Sequence, residues 1–219
     1  MVERCQIKER GCIVVDLDGT LITGNSLVLL TRYLFNRLIK KQSFREVLYL
    51  SYYIFLRRLK LIPHRKMKYK IIDISHKFLK KNNIEKFSKI LFDKRNISVE
   101  KMLVNFQNEG KRILIATAAP DFYLQNFVNL FDNLELDYKG TKFSSKYENF
   151  IENKGDEKLK SVEKYLETNN LKCHAIFTDH KDDLPLLIKF PDNIYLIKPD
   201  IKTIEAIKKY PQIIYKEII

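Results

Sequence analysis

Cysteine, glycine and proline are scarce in this chain of 219 residues, with three, six and six of them respectively. Cys5, Cys12 and Cys173 are scattered, odd in number and without metal-ligand spacing. We therefore expect reduced thiols and a cytosolic location rather than a disulfide framework or a cysteine metal site. With so few glycines and prolines, the sequence contains no low-complexity linker, and it shows no internal repeat.

Long hydrophobic runs are also missing. The longest apolar stretch, residues 47–56, has ten residues including Ser51, about half of the roughly 20 that a membrane-spanning helix needs. The first ten residues, MVERCQIKER, are polar and charged, so we expect no secretory signal. A hydrophobic content of 45% with 31% charged residues indicates a globular chain and argues against disorder. The length suits one core, or a core with a smaller insert.

Acidic residues are few between Ser26 and Asn105, where 20 Lys and Arg stand against five Asp and Glu. The rest of the chain holds 20 basic and 22 acidic residues. The excess of basic residues that gives the net charge of +13 therefore lies entirely in this one segment. The asymmetry indicates an anionic partner: a phosphorylated substrate, an acidic lipid surface or a nucleic acid. A solvated lysine-rich surface accounts for it equally well, and both interpretations stay open.

Strand-like and helix-like segments alternate in the outer parts of the chain. The predicted strands are residues 12–16, 112–117, 173–179 and 193–198, and the predicted helices between or after them are 121–131, 156–168, 183–190 and 202–209. This rhythm predicts an α/β fold with a Rossmann-like, doubly wound parallel sheet. Amphipathic runs at 27–38, 44–59, 65–79, 84–92 and 99–108 predict an all-helical insert. We therefore predict a core of residues 1–24 and 108–219 and a helical insert of residues 25–107.

Two carboxylates follow the first predicted strand directly, in the motif DLDGT that begins at Asp16. The apolar run before it is typical of a buried parallel strand, and the carboxyl ends of such strands are where ligands bind. Residues two apart on a strand point to the same side, so Asp16 and Asp18 are placed to converge on one site. One carboxylate can then attack while the other passes a proton.

Three further segments place phosphate-binding or metal-binding groups at the ends of predicted elements. After the second strand, Thr117 and the backbone N–H of Ala118 lead into a predicted helix N-terminus, a combination suited to phosphate. Lys154 lies just before the helix 156–168 and offers a positive charge to a phosphate. Asp179 and Asp183 follow the third strand, and carboxylates of this kind suit Mg²⁺. Each alone is also accounted for as a helix cap, a turn or a surface residue.

Together, the four segments resemble the four motifs of the haloacid dehalogenase-like phosphatase superfamily. DLDGT is the most specific piece, and TDHKDDLPLL from Thr178 is the next. A helical insert between the first two motifs resembles the cap of the phosphoserine-phosphatase-like subgroup. The resemblance implies a nucleophile at Asp16 and a general acid/base at Asp18.

The same resemblance implies the remaining roles at the site. Thr117, Ala118 and Lys154 would bind phosphate. The implied Mg²⁺ site comprises Asp16, the backbone carbonyl of Asp18, Asp179 and a supporting Asp183. The implied reaction passes through an aspartyl-phosphate intermediate, with the cap closing over the site to exclude water.

Two positions depart from the phosphoserine phosphatase pattern and are candidates for substrate specificity. Nine residues after the nucleophile, those enzymes carry a glutamate that helps bind the amino group of the substrate, whereas this chain has Asn25. His180 stands where a small residue is more usual, although a lone histidine is by default structural or solvent-facing. Phosphoserine is therefore expected to fit poorly.

The basic insert leaves two interpretations open. Residues 44–62 are apolar and aromatic and are flanked by arginines and lysines, an organisation that resembles the caps of phosphatidylglycerophosphate-type phosphatases. Such a helix can lie in the interface of an anionic bilayer, with residues 44–70 as the contact. Alternatively, Leu48, Tyr52, Phe55 and Leu59, which have helical spacing, form the core of the insert itself. We favour this packing role.

From the sequence we predict a Mg²⁺-dependent phosphomonoesterase that acts on a small phosphorylated metabolite or a lipid phosphate headgroup, located in the cytoplasm or peripherally at the inner face of the membrane. Two other classes of protein also use features of this kind. A glycosyltransferase would use Asp16 and Asp18 as a metal-binding DxD motif, but the partner carboxylates Asp179 and Asp183 argue against it. A non-enzymatic module would bind membrane or nucleic acid through the insert. We do not expect nucleic acid, because only charge points to it.

Overall fold

The structure, a computed structural model, describes residues 11–218. The predicted free thiol of Cys5 and the polar segment 1–10 lie outside the described residues, and so does the last residue of the predicted core. The part that the structure describes is an α/β fold in which one parallel sheet is covered by helices on both faces. This confirms the predicted Rossmann-like class.

Six strands form the sheet, in the order β3-β2-β1-β4-β5-β6, and every neighbouring pair is parallel. The strands are β1 (Gly11–Val15), β2 (Arg112–Pro120), β3 (Leu136–Thr141), β4 (Lys172–Thr178), β5 (Ile194–Ile197) and β6 (Tyr215–Ile218). In the centre of the sheet, Val15 pairs with Ile115 of β2 and with Phe177 of β4. The residues that follow these three positions therefore emerge together at the carboxyl edge of the sheet.

The sequence missed β3 and β6, which are the two edge strands. Central strands of a parallel sheet are buried on both faces and are recognisable as apolar runs. The edge strands have the sequences LDYKGT and YKEI and are mostly half-buried or exposed. They therefore lack the continuous apolar run on which the prediction depended.

Nine helices occur in the described part of the chain. They are α1 (Ser26–Lys40), α2 (Phe44–Arg58), α3 (His64–Phe78), α4 (Lys81–Phe92), α5 (Ile97–Asn108), α6 (Leu124–Val128), α7 (Asp156–Thr168), α8 (Leu184–Lys189) and α9 (Ile201–Ile207). The first five correspond to the five predicted runs of the insert, and α7 has the predicted bounds. The expected helix over 121–131 is shorter: β2 continues to Pro120, a 3₁₀ turn follows, and only then does α6 begin.

The alternation of side chains along the strands divides the apolar core into two layers. On one face, Ile13 and Val15 pack with residues of the insert, including Leu30 and Leu34 of α1. On the other face, Val14 packs with residues of α7, α8 and α9. A strand that is buried on both faces needs apolar residues at every position, which explains the uninterrupted run before Asp16.

The last helix of the insert, α5, packs directly on the sheet. Phe106 lies edge-on against Phe177 of β4 and Tyr195 of β5, and Val99 and Leu103 are fully buried in the same apolar core. The division into a core of residues 1–24 and 108–219 and an insert of 25–107 stays a prediction.

Helix α2 overturns one expectation. Leu48, Tyr52, Phe55 and Leu59 were expected to form the core of the insert, but their exposed fractions are 71%, 55%, 57% and 52%. Leu50 is the one residue of α2 that is fully buried. The physical reason is orientation: α2 contacts α1 and α3 through the face that contains Leu50, so the predicted stripe points away from them.

None of the helices between residues 11 and 218 is both long enough and apolar enough to cross a membrane.

Candidate active site

All nine residues that the sequence singled out line one cavity of about 240 Å³ at the carboxyl edge of the sheet. They are Asp16, Asp18, Asn25, Thr117, Ala118, Lys154, Asp179, His180 and Asp183. Seven other residues complete the wall, among them Lys158, Lys68 and Glu152. The fold therefore brings together groups that lie up to 167 positions apart between Asp16 and Asp183.

The centre of the site is a buried lysine between two carboxylates. Lys158 Nζ lies 3.0 Å from Asp16 Oδ1 and 2.6 Å from Asp183 Oδ1, and the side chains of Lys158 and Asp183 are 4% and 3% exposed. The second oxygen of Asp183 accepts a hydrogen bond of 2.7 Å from Thr178 Oγ1. Asp16 follows β1, and its backbone N–H donates to the carbonyl of Phe177. The carboxylate of Asp16 is thus positioned by the sheet itself.

The lysine that contacts Asp16 is Lys158, whereas the sequence singled out Lys154 as the phosphate-binding lysine. Lys154 lines the same cavity, but its Nζ forms an ion pair of 2.7 Å with Asp182 and its side chain is 48% exposed. Lys154 precedes α7, whereas Lys158 lies in the first turn of this helix, where long side chains point back towards the helix N-terminus. The sequence analysis did not single out Lys158.

A detectable pattern in the sequence marks Lys158. The buried side of α7 contains Lys158, Val162, Tyr165 and Leu166, which have the spacing of one helix face. A lysine on the apolar face of an amphipathic helix is unusual, since lysine is almost never fully buried without a partner. The sequence-based prediction placed the phosphate-binding lysine in the loop before α7, at Lys154, and so did not include Lys158.

Asp18 is held at the start of α1. Ser26 donates to both of its oxygens, through its backbone N–H at 2.7 Å and its hydroxyl at 3.1 Å. The hydroxyl of Tyr123, which is fully buried, donates in turn to Ser26 Oγ at 3.0 Å. Asn25 caps α1 by accepting a hydrogen bond from the N–H of Val28. Asn25 thus has a structural role in addition to lining the cavity.

The second predicted segment forms a tight connection rather than a helix N-terminus. Thr117 is buried, and its Oγ1 accepts a hydrogen bond from the N–H of Ala119 at 3.1 Å. The register between β2 and β3 shifts between Ala116 and Pro120, which makes an irregularity of the strand at this point. Asn153 supports the connection, because its amide donates to the carbonyls of Thr117 and Lys139. The predicted helix begins after Pro120 as a 3₁₀ turn, Asp121–Tyr123, because the pairing with β3 extends β2 as far as Pro120.

Asp179 follows β4 and lies against the turn after Asp18. A Cβ atom at Gly19 would meet Asp179 Oδ2 at 2.0 Å, and Gly19 has a φ of 73°. Glycine is thus required at this position for both reasons. His180, 43% exposed in its side chain, caps the following turn by accepting a hydrogen bond from the N–H of Asp182 at its Nδ1. His180 therefore lines the cavity and also shapes the turn that leads to Asp183.

The electrostatics of the site are dominated by buried carboxylates. Burial, together with the neighbouring carboxylates, raises the pKa of Asp16 to about 7 against the opposing positive charge of Lys158. Burial also raises the pKa of Asp179 to about 6 and that of Asp18 above its ordinary value. The pKa of Lys158 is raised by Asp16 and Asp183 in spite of its own burial, which lowers it. The cavity thus collects more negative charge than its buried lysine compensates.

The donor set fits a magnesium ion. Among residues 11–218, no three His, Cys, Asp or Glu side chains form a cluster that would hold a metal by themselves. Mg²⁺ needs fewer, because it usually binds through one or two carboxylates and keeps waters and phosphate oxygens as its other ligands. Asp179 is close enough to Asp16 for its negative charge to raise the pKa of Asp16. The main chain at Gly19 is in contact with Asp179. The side chains of Asp18 and Asp183 are already engaged by Ser26 and Lys158.

A second buried ion pair also lines the cavity. Lys68 of α3 lies 2.5 Å from Glu152 Oε2 and also donates to the carbonyl of Ala118 at 2.8 Å. The Lys68 side chain is 5% exposed. Sequence reasoning did not single out these residues, because one lysine of the basic insert is not distinguishable from the others by its neighbours in sequence.

This arrangement can carry out nucleophilic chemistry at a phosphate. Asp16 is a carboxylate with a cation beside it, a group that can attack as an oxygen nucleophile, and Asp18 is a separate carboxyl group whose raised pKa suits proton transfer. Lys158 is placed to offset negative charge that develops near Asp16. The cavity thus contains two carboxylates in different environments and a fixed positive charge beside one of them.

A sequence model of the haloacid dehalogenase-like hydrolases matches residues 13–187 of this chain. The match includes all nine predicted site residues as well as Lys158. No curated protein sequence matches the chain.

Solved structures share the fold over nearly the whole chain. A protein of unknown function from Bordetella pertussis Tohama I superposes with a TM-score of 0.70 and 12% identity, over 96% of this chain and 99% of the other. A phosphoserine phosphohydrolase-like protein from Francisella tularensis subsp. tularensis SCHU S4 gives 0.54 and 20%, over 91% and 94%. A substrate-bound phosphoserine phosphatase gives 0.59 and 12%, over 91% of each chain. At these identities the likeness is one of fold.

Proposed function

The chain belongs to the haloacid dehalogenase-like hydrolase family, and we propose that within it this protein is a Mg²⁺-dependent phosphomonoesterase that works through an aspartyl-phosphate. The observation that carries the proposal is the contact between Asp16 and the buried Lys158, in a cavity that also contains Asp18, Asp179 and Asp183. A purely structural role does not explain why so many carboxylates are kept together out of water, since burying them unpaired is costly.

In the first half of the reaction, Asp16 attacks the phosphorus of the bound monoester. A bond forms between phosphorus and a carboxylate oxygen of Asp16, and the bond between phosphorus and the alcohol oxygen breaks. Lys158 favours the ionised form of Asp16 that this attack needs, against the effect of burial. Asp18 gives its proton to the departing alkoxide, and its raised pKa makes the protonated form more available. Ser26 keeps Asp18 in place.

In the second half, Asp18 removes a proton from a water molecule. The water oxygen attacks phosphorus and the bond to Asp16 breaks, which releases inorganic phosphate and regenerates the carboxylate. The proton that Asp18 takes up replaces the one it gave to the alcohol. The two halves therefore balance, with one water consumed.

The side chains of Asp16 and Asp179 and the main-chain carbonyl of Asp18 would hold Mg²⁺, with Asp183 as support. When bound, the ion supplies positive charge that offsets the repulsion between the phosphate and the carboxylate nucleophile. Asp183 acts indirectly, because it holds Lys158 and is itself fixed by Thr178. Thr117 and the backbone at Ala118 lie on the wall of the cavity and are proposed to bind the phosphate oxygens, together with Lys158.

The proposed substrate is a small phosphorylated metabolite or the phosphate headgroup of a lipid. A cavity of about 240 Å³ accommodates a phosphate with a small attached group. Lys68 and Lys154 line the wall, each paired with a carboxylate, and offer N–H donors to a polar group of the substrate beyond the reacting phosphate. Asn25 brings no charge to bind an amino group, which disfavours phosphoserine.

Phosphate release tests the proposal. The substrates are para-nitrophenyl phosphate, phosphoserine, sugar phosphates and phosphatidylglycerophosphate, each with Mg²⁺ and with a chelator. We expect Mg²⁺-dependent turnover that Asp16→Asn abolishes and that Asp192→Asn, an exposed carboxylate outside the cavity, leaves intact. Turnover that persists in folded Asp16→Asn would contradict the nucleophile. No turnover by the folded protein with Mg²⁺ on any substrate would favour a binding module.

A further inference from the structure

Helix α2 presents a continuous apolar stripe to solvent. We use the name apolar stripe for four of its residues and its C-cap, namely Phe44, Leu48, Tyr52, Phe55 and Leu59. Their exposed fractions lie between 52% and 71%. The spacing of four, four, three and four residues places them on one side of a helix. Leu61, just after the helix, is 67% exposed and extends the surface.

The stripe is exposed although α2 already has a buried face. Leu50 is fully buried, Val47 packs against the main core, and Tyr49 and Tyr53 lie against each other beside Lys70 of α3. A helix that is apolar all round is normally buried all round. Contiguous exposed apolar surface of this kind marks a site of interaction with a protein or a membrane.

Positive charge lies along both borders of the stripe. On a helix that turns by 100° per residue, Arg45 falls just beyond one border of the stripe and Arg58 just beyond the other, and both are polar groups at the edge of the apolar surface. Lys60 follows at the C-terminal end of the helix and is exposed. The surrounding segment 26–105 contains 20 basic and five acidic residues. The partner of the stripe must therefore accept apolar side chains and be negatively charged around them.

We propose that the apolar stripe docks on the interface of an anionic lipid bilayer, with α2 lying parallel to the membrane plane. Apolar side chains would enter the boundary between headgroups and acyl chains, while Arg45, Arg58 and Lys60 would meet the lipid phosphates. Each basic residue near such a surface favours the bound state, because the anionic headgroups attract it. The proposal rests on the exposure and charge of α2 and not on the catalytic roles assigned above.

A second copy of this chain fits the surface less well. A two-fold interface places the same patch of both copies face to face, so Arg45 and Arg58 would meet the same arginines of the partner. Like charges across an interface are unfavourable, and the segment around the stripe has 20 basic against five acidic residues. Nucleic acid would accept the arginines but offers no apolar layer for Leu48 and Phe55.

The apolar stripe ends five residues before His64, a residue that lines the cavity. Leu59 and His64, which lines the cavity, are only a few residues apart in the chain, so the two lie within about 18 Å of each other. Docking would thus place His64 of the cavity wall within about 18 Å of a residue that is seated in the membrane interface.

Vesicle flotation at physiological salt tests the docking without any substrate, so its outcome is separate from that of the phosphatase assay. The probes are vesicles of phosphatidylcholine alone and of phosphatidylcholine with phosphatidylglycerol. We expect binding to the anionic vesicles only. Leu48→Ser/Phe55→Ser should bind at least about tenfold more weakly, because two large apolar groups are lost. Arg45→Gln/Arg58→Gln should also bind more weakly, and binding should fall with added salt.

The matched control is Ile201→Ser/Ile214→Ser, which removes two side chains of 74% and 65% exposure far from α2 in sequence, and it should bind like the wild type. Circular dichroism and thermal unfolding check that each variant is folded. The proposal is overturned if the wild type ignores anionic vesicles, or if the stripe variant and the wild type bind equally. It is also overturned if sedimentation shows a wild-type dimer that Leu48→Ser/Phe55→Ser dissociates, because the stripe is then a contact between copies.

Discussion

At the scale of single residues, the central feature is that one lysine is shared by two buried carboxylates. Lys158 contacts Asp16 and Asp183, and all three side chains are largely buried. Removing one member of a buried ion pair leaves an uncompensated charge and is strongly destabilising, by about 3–5 kcal/mol. Lys158 therefore contributes to folding and, under the proposed function, to catalysis.

The first prediction compares Lys158 with Lys154, which lie on the same segment of the chain. Lys158→Ala should lower kcat/KM on para-nitrophenyl phosphate by at least about 100-fold, because it removes the cation beside the developing charge. Lys154→Ala removes an exposed ion pair with Asp182 and should lower kcat/KM by less than about fivefold. Steady-state kinetics with Mg²⁺ provide the measurement.

Urea unfolding of the same variants is the control for changes in stability. Lys158→Ala should lose stability and Lys154→Ala should not, so Lys158→Met serves as a second variant that retains the packing of the side-chain stem. If Lys154→Ala loses as much activity as Lys158→Ala, Lys154 is the phosphate-binding lysine, as the sequence suggests, and Lys158 is a structural residue.

The second prediction concerns the pH dependence of stability at Asp179. Burial raises the pKa of Asp179 to about 6, above the value of 3.8 for an ordinary aspartate. The ionised carboxylate therefore opposes folding: the penalty is absent below pH 3.8 and is fully present above about pH 6. In buffer without Mg²⁺, Asp179→Asn should be more stable than the wild type at high pH, by up to about 3 kcal/mol, and similar at low pH.

Urea unfolding across this pH range measures the difference between wild type and Asp179→Asn. Asp192→Asn, a change at an exposed position, is the control and should show no such trend. Added Mg²⁺ should stabilise the wild type at high pH and not the variant, because only the wild type retains the carboxylate of Asp179 that is proposed to bind the ion. A difference between wild type and Asp179→Asn that does not change with pH would refute the account.

At the scale of elements, α3 connects the helical insert to the loop between β3 and α7. Arg65 donates to the carbonyl of Phe150, Tyr69 donates to that of Ser145, and Lys68 pairs with Glu152. These contacts from one side of a helix fix the position of α3 over the cavity. The wall formed by Lys68 and Glu152 is therefore part of the connection between insert and sheet.

The third prediction is a strong coupling between Lys68 and Glu152. A double-mutant cycle with Lys68→Met and Glu152→Gln, measured as free energy of unfolding, should give an interaction of about 1–3 kcal/mol because the pair is buried. The matched control is Asp73 and Lys77, an ion pair on the same helix with a lysine that is 62% exposed. This pair should contribute no more than about 0.5 kcal/mol.

Equal coupling energies for the two pairs would show that Lys68 is not held by Glu152 in solution. Loss of activity in Lys68→Met with unchanged stability would instead assign Lys68 to the substrate. Both results can be read from the same purified variants.

At the scale of the whole molecule, the topology explains why distant residues meet. The order β3-β2-β1-β4-β5-β6 places β1 between β2 and β4. Asp16 after β1, Thr117 at the irregularity of β2 and Asp179 after β4 therefore meet at one edge of the sheet. The two faces of the sheet are covered by different helices, with the insert on one and α7 on the other. Lys158 reaches the same edge from the face opposite to the insert, and Lys68 reaches it from the insert.

Acidic and basic residues are also concentrated in different parts of the molecule. The acidic groups that define the cavity belong to the sheet edge, whereas the excess of basic residues belongs to the segment 26–105 that covers one face. The apolar stripe of α2 lies in this basic segment. The vesicle experiment therefore examines a property of the whole insert, and the phosphatase assay examines a property of the edge of the sheet.

Local sequence determined the class of the fold and most of its elements. Central strands are apolar without interruption and amphipathic helices have a clear period, so β1, β2, β4, β5 and the helices of the insert were predictable. The DLDGT motif determined the location of Asp16 and Asp18, because an apolar core does not tolerate two unpaired carboxylates directly after a buried strand. The nine residues chosen on such grounds line one cavity.

Only the tertiary structure decided which lysine faces Asp16, which face of α2 is covered, and where the edge strands lie. Lys154 and Lys158 differ in direction rather than in type, and the direction depends on how α7 packs on the sheet. Leu48 and Leu50 are the same kind of residue on opposite sides of α2, and the positions of α1 and α3 decide which is buried. Sequence periodicity reveals that a helix has faces, but burial is set by neighbours that are distant in the chain.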